Sequence, residues 1–80
     1  MTEAEIFDKV KEIVVDQLDV DEADVTLAAD IKEDLDADSL DVFEIMNDLE
    51  DDLDIKLEAD ENVKTIQDVV NYVKKEVDAK

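Results

Sequence analysis

Asp36-Ala37-Asp38-Ser39-Leu40-Asp41-Val42-Phe43-Glu44-Ile45-Met46-Asn47-Asp48-Leu49 is the stretch that decides how this chain folds. Asp38 is a good N-cap and Asp41 stands three residues after it, so a helix is expected to start at Ser39. Val42, Ile45, Met46, Leu49 and Leu53 then form one apolar stripe. Asp41, Glu44, Asp48, Glu50, Asp51 and Asp52 fill the other faces, and no lysine lies between Glu33 and Ile55. Like charges at helical neighbours such as Glu44 and Asp48 cost stability. A face kept at that cost is expected to be used.

Ser39 is the only serine in the chain. A serine beside an aspartate is ordinarily a helix cap or a solvated surface residue, and short matches mislead. Three features point further. The hydroxyl opens a helix, where free amides and the dipole favour a phosphate ester. It follows a long loop, so a bulky enzyme can reach it. It has no base of its own, so its chemistry has to be done by another protein.

Upstream, Thr2 and Glu5 have the spacing of a capping box. Ile6, Val10, Ile13, Val14 and Leu18 follow at three- and four-residue steps, which predicts a first helix from about 3 to about 17. From 19 to 37 the period fails. Val20, Val25, Leu27, Ile31 and Leu35 are isolated apolar residues expected to pin this connection to the core, with a helical turn near 21–24. A loop of that length inside a small domain tends to be functional or disordered, and the apolar pins favour order.

Downstream, Ile55 and Leu57 are candidate anchors, and 59–62 is a candidate short helix. Thr65 with Asp68 resembles another cap. Ile66, Val69, Val70, Val73 and Val77 give a final stripe, with Lys74, Lys75 and Lys80 near the end where cations suit the helix dipole. With no glycine and no proline, every turn has to be made by Asp, Asn, Ala or Lys. The predicted fold is all-α: a small antiparallel bundle of three main helices plus one short helix, with a long loop between the first and second. One domain spanning 1–80 is expected.

The composition narrows function by exclusion. There is no cysteine and no histidine, so a Ser-His-Asp or Cys-His nucleophile and thiolate or imidazole metal sites cannot be assembled. An enzyme is not expected. Twenty-seven acids against eight lysines give a formal charge of −19. Such a surface repels nucleic acid and anionic lipid and attracts basic protein patches. Ile13-Val14-Val15 is the longest aliphatic run and the first residues are acidic, so neither membrane insertion nor a targeting peptide is expected; a cytoplasmic monomer is.

Asp38-Ser39-Leu40, with Leu35 before it and Val42, Glu44, Ile45, Leu49 and Glu50 after it, resembles the attachment motif of acyl carrier proteins. The resemblance covers most of the chain and is closest to the discrete carriers of bacterial type II fatty-acid synthesis. It implies that Ser39 carries 4′-phosphopantetheine, whose terminal thiol holds the acyl chain as a thioester. It also implies partner-facing roles for Asp38, Leu40, Asp41, Glu44, Asn47, Glu50 and Asp51. The implied partners are a phosphopantetheinyl transferase, fatty-acid synthesis enzymes with basic patches, and acyl chains sheltered between helices. Leu40 and Phe43 are the expected apolar contacts, Phe43 otherwise closing the edge of the core.

The chain departs from the family at three places. Asp36 replaces a usual glycine, Leu57-Glu58 replaces a frequent Ile-Pro, and Asn47 stands where an apolar residue is common. A D-alanyl, polyketide or peptidyl carrier is the nearest alternative reading. A calcium-loop reading of Asp30, Lys32, Asp34, Asp36, Asp38 and Asp41 fails, because lysine occupies an early ligand position and Leu35 replaces the loop glycine. An acidic interaction module that is never modified explains the charge but leaves the Ser39 motif as coincidence.

Overall fold

The structure is a computed structural model describing residues 2–57 and 63–79. Among the described residues it contains three helices, α1 (Glu3–Leu18), α2 (Ser39–Leu53) and α3 (Ile66–Asp78), and a 3-10 turn at Glu22–Asp24 in the long connection. The expected turn near 21–24 is therefore present. The candidate short helix at 59–62 lies outside the described residues.

Each helix begins with the cap its sequence announces. Thr2, Asp38 and Thr65 accept a hydrogen bond from the amide three residues on, and the carboxylates of Glu5, Asp41 and Asp68 accept one from the cap amide. All three are complete capping boxes, each satisfying two amides that a helix start leaves without intrahelical partners. α1 and α2 both end on an aspartate in the left-handed region, Asp19 at φ 55° and Asp54 at φ 54°. Glycine is the usual residue there; in a glycine-free chain aspartate closes both helices.

The apolar stripes converge on one core. Ile6, Val10 and Val14 of α1 meet Val42, Ile45, Met46 and Leu49 of α2 and Ile66, Val69, Val70 and Val73 of α3. α1 packs extensively against both other helices and is the common wall between them. Ile13, Leu18, Leu53 and Val77 complete the stripes from half-buried positions. Burying one such side chain contributes about 1.5–3 kcal/mol. A like-charge pair one turn apart costs only about 0.2–0.5 kcal/mol. Burial thus outweighs the repulsion on the acidic faces of α2.

The long connection is ordered by the core and by the entry to α3. Val25, Ile31 and Leu35 are buried, with Val20 and Leu27 half-buried against the same cluster. Asp30 forms an isolated antiparallel bridge with Thr65. Around it, the Ile31 amide donates to the Lys64 carbonyl at 2.8 Å, Ile66 to Ala29 at 3.0 Å and Gln67 to Leu27 at 2.9 Å. The sequence predicts no strand pairing, and among the described residues this bridge is the departure. Ile55 is half-buried and Leu57 buried, so both act as anchors.

Candidate functional site

The loop delivers its last residues to α2 through a short relay of backbone bonds. Ile31 is held by Lys64, and the Ala37 amide in turn donates to the Ile31 carbonyl at 3.0 Å. Ala37 and Leu35 are buried, while Asp36 between them is exposed. Asp36 reaches that arrangement at φ 57°, a left-handed conformation that costs a residue with a Cβ roughly 1–2 kcal/mol. The resemblance to carriers implies glycine at this position, and a positive φ is the conformation that favours glycine.

The same segment explains the regular spacing of aspartates. The Asp30 carboxylate accepts the Lys32 and Glu33 amides, each at 2.9 Å, and Asp34 accepts the Asp30 amide at 2.8 Å. Asp38 and Asp41 are engaged in the α2 cap. Turn and cap chemistry therefore accounts for a spacing that superficially resembled a cation loop.

Ser39 occupies the first position of α2 and is exposed. The Asp41 amide donates to Asp38 at 2.9 Å and the Asp38 amide to Asp41 at 3.3 Å. The cap thus consumes two of the amides at the helix start and leaves those of Ser39 and Leu40, which have no intrahelical partner by geometry. An exposed hydroxyl flanked by two such amides at the positive end of a helix is suited to a phosphodiester. Leu40 is 72% exposed and Phe43 52%, so two large apolar side chains stand at the surface close after the serine. Phe43 stands on the surface beside Leu40.

Leu40, Glu44, Asn47 and Asp51 follow one another at helical steps of four, three and four residues and share one exposed face. Asp38 is exposed at the top of that face, whereas Asp41 and Glu50 flank it from half-buried positions. The structure therefore brings the expected partner-facing residues to one side of α2. It also shows a contact that no local pattern announces: the Gln17 side-chain amide at the end of α1 donates to the Glu44 carboxylate. Where this face borders α1, Asp48, Asp51 and Asp52 line a groove together with Glu12 and Asp16.

Residues 8–73 match the family profile described as "Phosphopantetheine attachment site". The chain belongs to this family. It is 46% identical over 68 residues to the acyl carrier protein of Lactococcus lactis subsp. cremoris strain MG1363, covering 85% of this chain and 92% of the relative. The acyl carrier protein of Streptococcus pneumoniae serotype 4 is 45% identical over 71 residues, covering 89% and 95% respectively. Membership makes the chain a carrier and not an enzyme, with 4′-phosphopantetheine as its prosthetic group. The exposed hydroxyl and the two amides at the start of α2 fit that group.

Proposed function

We propose that Ser39 is the residue joined to 4′-phosphopantetheine and that the protein carries acyl chains among the enzymes of fatty-acid synthesis. The observation that supports this most directly is the exposed Ser39 at the first position of α2, beside two amides the cap does not use. Transfer from coenzyme A forms a bond from the Ser39 oxygen to the phosphorus next to pantetheine. It breaks the pyrophosphate P–O bond and releases 3′,5′-ADP. A base of the phosphopantetheinyl transferase takes the serine proton, since this chain has no histidine to do so. Once attached, the group supplies a thiol that holds acyl chains as thioesters.

The chain's own residues contribute positioning and recognition. The Ser39 and Leu40 amides orient the phosphodiester, and the buried Leu35 and Ala37 fix the approach of the loop. Asp38, Leu40, Asp41, Glu44, Asn47, Glu50 and Asp51 form the face that basic patches on the transferase and the synthesis enzymes meet. Charge of this kind raises association rates and sets orientation more than it raises affinity. Its density on α2 supports the fatty-acid type over a D-alanyl, polyketide or peptidyl carrier. The carrier is read as a single-domain cytoplasmic protein, and a formal charge of −19 favours its being a monomer.

Intact mass after incubation with coenzyme A and a broad-specificity phosphopantetheinyl transferase tests the assignment, with Ser39→Ala alongside. One phosphopantetheine gained by the parent and none by the variant is the expected result. No gain by a folded, initially unmodified parent overturns it and leaves an acidic binding module.

A further inference from the structure

Asp38, Asp41 and Glu44 lie at successive three-residue steps along the start of α2. Each carboxylate is held by a neutral donor. The Asp41 amide holds Asp38 at 2.9 Å, the Asp38 amide holds Asp41 at 3.3 Å, and the Gln17 amide holds Glu44. The first two are local consequences of the cap. The third comes from a different helix and involves an exposed carboxylate that the cap cannot reach. α2 itself contains no lysine, so no cation within the helix neutralises the row.

We propose that Gln17 is a positioning residue for partner docking, its side-chain amide orienting the Glu44 carboxylate while leaving that carboxylate's charge undiminished. The inference rests on the carrier reading above and extends the recognition surface from α2 onto the last turn of α1. The physical argument concerns what a neutral donor does that a cation does not. A free glutamate on an exposed helix face samples several rotamers, and fixing one on binding costs about 0.5–1.5 kcal/mol. Gln17 is itself half-buried, so much of its own freedom is already lost in the free protein. A hydrogen bond from it removes part of the ordering cost in advance. A lysine at the same position would order Glu44 equally well but would cancel the charge that draws a basic partner.

Steady-state modification by a phosphopantetheinyl transferase with a basic carrier-binding face tests this, using coenzyme A and full-length chains at low salt. Gln17→Ala is expected to raise KM for the carrier about threefold and to leave kcat within about twofold, as expected for lost orientation at an interface. In a Glu44→Gln background the same substitution should change KM by less than about 1.5-fold, because the charge being oriented is gone. Gln17→Lys should raise KM further than Gln17→Ala while thermal stability stays equal or rises. A merely structural role for Gln17 would move stability and KM in the same direction.

An unchanged KM in Gln17→Ala, with the parent modified normally, overturns the inference and leaves the carrier reading intact. So does an equal effect of Gln17→Ala in both Glu44 backgrounds, which would mean that Gln17 touches the partner itself. Absence of any modification of the folded parent removes both.

Discussion

Ile31 donates its amide to the carbonyl of Lys64 at 2.8 Å, and this bond ties the loop ahead of α2 to the entry of α3. The side chain of Ile31 is 1% exposed, so the tie is sealed by the core. Hydrogen exchange at Ile31 and Ala37 should consequently be slowed to a degree comparable with helix interiors. Ile31→Ala is expected to lose about 2–5 kcal/mol of stability, read from urea denaturation. Exchange at both amides at the rate of an unstructured peptide would contradict an ordered loop.

Asp36 offers the reverse case, a residue whose replacement should stabilise. Glycine adopts φ 57° without the Cβ penalty, although it gives back part of the gain through the entropy of the unfolded chain. Asp36→Gly is expected to gain about 0.5–1 kcal/mol. Asp36→Asn should gain less, since it removes a charge but keeps the Cβ. Asp36→Val should be less stable than the parent, because a branched side chain fits the left-handed region worst. Urea midpoints in any other order would mean that this backbone position does not govern the variants.

Asp68 predicts a pH effect. Its carboxylate accepts the Lys64 amide at 3.1 Å and the Thr65 amide at 3.2 Å, and those bonds hold its pKa below the ordinary aspartate value. A lowered folded pKa means that the unfolded chain takes up the proton first as pH falls. The stabilisation is therefore full above the unfolded value of about 3.9 and is lost as pH drops through the folded value. Asp68→Ala should cost about 1 kcal/mol at pH 7, as for loss of other capping interactions. The difference between parent and variant should close in strong acid. A gap that stays constant across that range would sink the linkage.

The groove between α1 and α2 sets Glu12 and Asp16 against Asp48, Asp51 and Asp52, with no lysine among its described lining residues. Screening should relieve this repulsion. Raising sodium chloride from low to near-molar concentration is expected to increase Tm by about 5 °C or more. Magnesium should act at lower concentration through its charge. Asp48→Asn with Asp51→Asn should raise Tm at low salt and flatten the salt dependence. A melting curve indifferent to both ions would show that self-repulsion is not a significant term.

Helix positions were legible in the sequence because each depends on neighbours. Asp38 with Asp41, and Thr65 with Asp68, announce helix starts within four residues, and the stripe from Val42 to Leu49 repeats at helical spacing. The exposure of Ser39 follows from its place just inside such a start. The Asp30–Thr65 bridge and the Gln17–Glu44 bond were not legible, since each joins segments distant in sequence and depends on how α1, α2 and α3 pack. In the sequence Asp36 shows only as a missing glycine. Its positive φ gives that absence a physical meaning.

In this helix start, Asp38 and Asp41 hold the backbone together, whereas the hydroxyl of Ser39 is displayed outward. Fastening and display are thus divided among adjacent residues. On the carrier reading, a cargo can be hung on the hydroxyl and exchanged without unlatching the helix. The empty and loaded forms would then offer their partners the same doorway, told apart only by what hangs from it.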